Sequence, residues 1–214
     1  MEELKPSEPQ QPSTPPDDVR LPDLLPRWLT GIGRFVVELA EVVLISLAII
    51  LPIRYFLIQP FYVKGASMEP TFMDREYLII DEISFRTRKP ERGEVVVFRY
   101  PVDPRQYFIK RIIGLPGETV SIVNDSITIK NADHPDGVKL DESSYLSPSV
   151  MTYGDKSVKL GPDEYFVMGD NRTSSLDSRI FGPLKSSFIV GRVWIRGWPV
   201  DRFTLYGPDK KLQL

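Results

Sequence analysis

Tyr107-Phe108-Ile109-Lys110-Arg111-Ile112-Ile113, closed by Gly114-Leu115-Pro116-Gly117, reads as a β-strand running into a turn. Aromatic and β-branched residues fill it, and glycine and proline stop it. Alternate residues of a strand share a face. Phe108, Lys110 and Ile112 therefore fall together, with Ile109, Arg111 and Ile113 opposite. An amine set between a phenyl ring and an isoleucine is poorly hydrated. Desolvation disfavours its charged form and lowers the lysine pKa toward neutrality, where the amine becomes a usable base. Lysines also snorkel readily to a sheet edge, and this stretch alone leaves that reading open.

Comparable runs lie on both sides. Tyr77 to Asp81 and Glu94 to Tyr100 precede it, the latter stopped by Pro101. Thr119 to Val123 and Ser126 to Lys130 follow, around Asn124-Asp125, a two-residue hairpin signal. Glu164 to Met168, Gly191 to Arg196 and Arg202 to Tyr206 complete the set. Short strands with glycine and proline turns predict an all-β fold over 59–214, an antiparallel sandwich or partly open barrel. Residues 131–161 are polar and poorly periodic, and read as a long mobile insertion or hairpin.

The chain has 214 residues, 42% hydrophobic and 26% charged, enough for one domain with a core and appendages. Its net charge of -2 gives no drive toward nucleic acid. The absence of cysteine excludes disulfides, zinc–thiolate centres and a cysteine nucleophile. The single histidine, His134, sits in the turn-like Asn131-Ala-Asp-His-Pro-Asp-Gly137, so a Ser-His-Asp triad is not expected. No metal or other cofactor is called for.

Residues 1–26 are rich in proline and acidic residues without a hydrophobic period, and 1–30 reads as a disordered tail. Phe35 to Ile53 is an apolar run between Arg34 and Arg54. About 20 apolar residues span a bilayer as a helix. A transmembrane helix is therefore expected within 31–58, its span near 36–56, with Glu38 and Glu41 in the first turns. Arg34 and Glu38 are spaced for an i,i+4 pair. A buried helix of a soluble core is the competing reading. Cleavage after Ala66 would place Lys64 where a leader needs a small residue, so the run reads as a retained anchor. Arginines and lysines tie across the span and leave its orientation open.

Two polar stretches remain. Lys64-Gly65-Ala66-Ser67-Met68-Glu69-Pro70 presents a serine in a tight turn, a nucleophile if a base reaches it and otherwise a turn serine. Gly169-Asp-Asn-Arg-Thr-Ser-Ser-Leu-Asp-Ser-Arg179 crowds hydroxyls and opposite charges. Asp170 with Arg172, or Asp177 with Arg179, would form buried pairs that fix the loop.

GASMEPTF (65–72), RGEVVVFRYP (92–101), YFIKRIIGLPGETV (107–120) and GDNRTSSLDSRIFGPL (169–184) together resemble the type I signal peptidases, in family order, from the anchor to about Trp198. The resemblance implies a membrane-bound Ser-Lys endopeptidase that removes signal peptides from exported preproteins. Ser67 falls on the nucleophile and Lys110 on the general base. Ser175 falls on the hydroxyl that orients the lysine. Asp177 and Arg179 match a supporting pair, with Asp170 and Arg172 in the same block. The Ser67 amide is implied as one oxyanion donor. Some members place a hydroxyl residue where this chain has Gly65, so a backbone amide near Gly65 is the expected second donor.

The family's substrates bind as an added strand, with small residues at the first and third positions before the cut. By position, Val63, Met68, Phe72, Phe108 and Ile109 would line the pockets. The resemblance also implies a cytoplasmic tail, one span, and a β domain outside the plasma membrane, or at a thylakoid membrane where the cell has one. Trp194, Trp198 and Phe203 are expected either at the lipid surface or in the core. Two further readings are a Ser-Lys self-cleaving repressor-type protein, disfavoured by the anchor, and an anchored β domain that binds peptides without cutting them.

Overall fold

The structure, a computed structural model, describes residues 27–52 and 59–207. The tail at 1–26 and the end of the expected span, 53–58, lie outside the described residues. The chain divides into two units, 1–50 and 51–214.

The first unit contributes helix α1, Arg27–Pro52. Arg34 Nε donates to Glu38 Oε1 at 2.9 Å, the i,i+4 pair that the spacing predicts. From Gly31 to Leu51 every residue is exposed, including Phe35, Leu39, Leu44 and Ile50. Among the described residues, no helix is long and apolar enough to cross a membrane.

The second unit is antiparallel β. Its strands are β1 (Gln59–Tyr62), β2 (Tyr77–Asp81), β3 (Val95–Arg99), β4 (Tyr107–Gly114), β5 (Thr119–Val123), β6 (Ser126–Lys130), β7 (Val138–Lys139), β8 (Lys156–Lys159), β9 (Glu164–Met168), β10 (Leu184–Lys185), β11 (Ile189–Trp198) and β12 (Thr204–Leu205). An 8-stranded sheet runs β1-β2-β11-β3-β4-β9-β10, with β12 on β11. A 4-stranded sheet runs β7-β6-β5-β8. Two single-turn helices, α2 (Ser84–Thr87) and α3 (Ser178–Phe181), interrupt the strands.

The strands form where periodicity predicts them because each run buries what its pattern offers. In β3, Val95 and Val97 enter one buried cluster with Met68, Phe72, Leu78, Ile80 and Val193. Val96 and Phe98 enter another with Ile112, Tyr165, Val167 and Leu184. Both faces are covered, which is why the run is continuously apolar. Asn124 and Asp125 take φ of 48° and 58°, the left-handed pair that a tight hairpin between β5 and β6 requires.

Residues 131–161 depart from their reading. They carry β7 and β8 and bury Leu140, Leu146 and Leu160. The apolar residues are too far apart in sequence to show a period, and pairing with β5 and β6 supplies the order instead. Trp194, Trp198 and Phe203 are exposed and not core. The last expected strand, Arg202 to Tyr206, shrinks to β12, because Val200–Arg202 forms a 3-10 turn.

Candidate active site

The turn that presents Ser67 is held at both ends. The Val63 amide donates to Glu76 O at 2.8 Å, and the Arg75 amide to Val63 O at 2.9 Å, closing the loop between β1 and β2. Met68 and Phe72 are fully buried beneath it. Arg196 of β11 donates to Thr71 O at 2.8 Å. On the other side, Asn171 donates through its backbone to Ser67 O at 3.1 Å and through its side chain to Ala66 O at 3.0 Å. Gly169 lies so close that a Cβ there would collide with the Ser67 carbonyl and with Ser175 Oγ. That approach is open to glycine alone.

Arg75 is the one strained link. It is a non-glycine residue at φ 68°, its side chain is exposed, and its ion pair with Asp74 is loose at 3.5 Å. Such a surface pair contributes little. Arg75→Gly is therefore expected to stabilise the domain by about 1 kcal/mol, read as a higher melting midpoint in detergent. A lower midpoint would show that the side chain, not the backbone, governs this position.

Lys110 projects from β4 and is almost fully buried, at 3% exposure. Its Nζ lies 2.6 Å from Ser67 Oγ and donates to Ile109 O at 2.7 Å. The first contact serves either protonation state: an ammonium donates to the hydroxyl, and a neutral amine accepts the hydroxyl proton. Burial brings the amine down to about 8, against the opposing pull of the Asp177 and Asp170 carboxylates. Snorkelling, the competing reading for Lys110, is not what the fold does with it.

Those carboxylates are themselves fixed. Asp177 is completely buried, receives Arg179 Nε at 2.9 Å and Nη2 at 2.8 Å, accepts the Gly169 amide at 3.1 Å and caps α3. Burial pushes its carboxyl up, but Arg179 and these hydrogen bonds win, and the net displacement is downward. The expected Asp177–Arg179 pair therefore forms. The expected Asp170–Arg172 pair does not. Asp170 is taken by Arg111 of β4, Nε at 2.9 Å and Nη2 at 2.6 Å, and Arg172 turns away to Glu142. A rigid guanidinium fork arriving in plane from the neighbouring strand makes two parallel bonds to one carboxylate.

Two other expectations are corrected. Ser175 does not bond Lys110. Its Oγ is buried against Gly169 on the side of the Asp177 carboxylate, and Ile109 O takes the amine proton instead. The Gly65 amide is not a free oxyanion donor, because it donates to Asp74 Oδ1 at 2.8 Å. Gly65 stands at φ 96°, a conformation that a hydroxyl residue would adopt only under strain. The Ser67 amide, by contrast, meets no acceptor among the described residues.

A cavity of about 440 Å³ opens beside Ser67 and Lys110. Val63, Phe108 and Ile109 line it as expected, joined by Phe61, Leu78, Val97 and Leu176. Met68 and Phe72 do not; they are core residues under the turn. Asn171, Arg111 and Glu142 were assigned no role from sequence. The bonds that tie them to the site join Arg111 to Asp170, Asn171 to Ala66 and Glu142 to Arg172, 59, 105 and 30 positions apart, so no local pattern announces them.

The family model described as signal peptidase, peptidase S26, matches residues 36–198. A probable signal peptidase I-2 of Synechocystis is 38% identical over 178 residues, covering 80% of this chain and 78% of the relative. Signal peptidase IB of Staphylococcus aureus is 32% identical over 169 residues, covering 74% and 87%. A crystal structure of a signal peptidase I from Enterococcus faecalis V583 shares 32% identity, covers 49% of this chain and 97% of that one, and superposes with a TM-score of 0.40. With a family match across most of its length and relatives above 30% identity, this chain belongs to the signal peptidase family of S26 serine endopeptidases.

Proposed function

We propose that the chain removes N-terminal signal peptides from exported preproteins with Ser67 as nucleophile and Lys110 as general base. One observation carries the residue assignment: a desolvated amine 2.6 Å from a serine hydroxyl, at the wall of an apolar cavity. In its neutral form Lys110 takes the Ser67 proton as Oγ attacks the scissile carbonyl. The tetrahedral oxyanion forms where the unengaged Ser67 amide can donate to it. Lys110 then protonates the leaving amine, and the acyl-enzyme remains. Neutral once more, the amine deprotonates a water that releases the signal peptide. Asp177, Asp170 and their arginines hold the charge around the lysine without touching substrate.

β1 is an edge strand of the large sheet, and its last residues border the cavity. An extended substrate added there would gain main-chain hydrogen bonds and send alternate side chains inward. The wall of Val63, Phe108, Ile109 and Leu176 suits small residues at the first and third positions before the cut. Cleavage of a secretory precursor in detergent, with wild type and the Ser67 and Lys110 variants, tests the assignment. Retained cleavage in the Ser67 variant overturns it.

The same reading makes the apolar run Phe35 to Ile53 a membrane anchor, although α1 by itself falls short of a span, with the tail cytoplasmic and the β domain outside the cell membrane. Its exposed apolar residues from Phe35 to Leu51 support this, as does the exposed patch of Trp198, Val200, Phe203 and Leu205 on the β domain. The full chain is expected to stay with membranes through an alkaline carbonate wash. Release into the supernatant would remove the anchor from the proposal.

A further inference from the structure

The segment between β7 and β8, outside the cavity, grips the polar loop at two points. Arg172 is buried at 2% exposure and donates to Gly169 O at 3.1 Å, holding the loop where it passes Ser67. Every other partner of that guanidinium comes from the segment. Glu142 accepts two bonds, one of 2.9 Å from Nη1 and one from Nη2; Thr152 Oγ1 accepts at 2.6 Å; Tyr145 Oη lies at 3.1 Å and itself donates to Glu142. The Tyr145 ring lies 4.0 Å from the Arg111 guanidinium, the fork that holds Asp170. At the far end of the loop, Lys156 donates to Arg179 O at 2.9 Å.

We infer that 141–156 is a strap that positions the loop behind the Ser-Lys pair, with Glu142 as its positioning residue. The physical reason is that Arg172 has no carboxylate from its own loop. Asp170 and Asp177 are committed to Arg111 and Arg179. Without Glu142, a buried guanidinium would lack its counter-charge and compete for Asp170. The Arg111–Asp170 fork would then loosen, and with it the strand that carries Lys110. Glu142 lies outside the cavity wall, so substrate binding is untouched.

The inference rests on the peptidase assignment, and the test separates the two. The full-length enzyme in detergent is assayed for kcat and KM on a secretory precursor. Glu142→Ala is expected to lower kcat by about 100-fold, the size of loss that a displacement of about 1 Å remote from the chemistry produces, with KM within twofold. Glu142→Gln keeps the acceptor oxygen and is expected to recover about tenfold of that loss. Tyr145→Phe, which keeps the ring over Arg111, decides the matter if neither Glu142 variant folds, with an expected loss of about threefold in kcat. Folded fraction is read by circular dichroism in each case. Wild-type kcat in folded Glu142 variants, or in Tyr145→Phe where those do not fold, overturns the strap. So does a loss that appears in KM alone. Cleavage that survives Ser67→Ala overturns the peptidase assignment instead.

Discussion

Lys110→Met is expected to be inactive yet at least as stable as wild type. General-base catalysis contributes up to about 10⁴-fold, and methionine fills similar volume without a proton acceptor. Cleavage of a secretory precursor should therefore fall by about 10⁴-fold while the fold survives. The stability side follows from burial. Bringing the amine from 10.5 to about 8 means that the charged form is disfavoured by roughly 3 kcal/mol relative to the unfolded chain. That cost is present in full below pH 8, where both states carry the charge. It fades as pH rises from 8 to 10.5, because there the unfolded state binds the extra proton. The melting midpoint of Lys110→Met should thus exceed wild type at neutral pH, less whatever the lost bond to Ile109 O contributes. The gap should close as pH rises through that window. Kinetically, wild-type kcat/KM should climb with pH and level off above about 8, since only the neutral amine takes a proton. Activity on a plateau already at pH 6 would show that Lys110 is not the base.

Ser67→Ala should cost more, about 10⁶-fold in kcat, because among the described residues no other hydroxyl bonds Lys110 Nζ. The substitution removes one oxygen from a half-buried turn whose anchors are Met68, Phe72 and the two bonds from Asn171. Folding should be unaffected. KM-level binding should persist, because the cavity wall is intact, so the variant becomes a trap for uncut precursor. Crosslinked precursor should accumulate on Ser67→Ala and not on wild type. The same measurement addresses the binding-only reading. An anchored peptide-binding domain would hold precursor equally well with serine or alanine at 67, and would release no product from either.

Local pattern carried the strands, and for identifiable reasons. β2, β5, β6 and β9 begin and end where the alternation and the turn residues place them. β7, β8 and β10 are two to four residues long and polar outward, too short for a period to register. The site divides in the same way. The serine turn and the lysine strand stand out because each breaks the chemistry of its surroundings: a hydroxyl after an apolar run, an amine among isoleucines. Asp177 and Arg179 are two residues apart and pair as written. Asp170 and Arg172 are spaced identically and do not.

By itself, then, the order of residues determined that this chain folds as antiparallel β, through side-chain period and turn composition. It singled out Ser67 and Lys110 only through the family blocks they sit in, because local pattern alone left a turn serine and a snorkelling lysine open. Only the tertiary structure decided the partners. Spacing alone could not choose between Arg172 and Arg111 for Asp170, nor bring Glu142 to Arg172. A buried charge or amide takes whichever partner the packed backbone brings within about 3 Å at a usable angle. That distance is set by strands far apart in the chain.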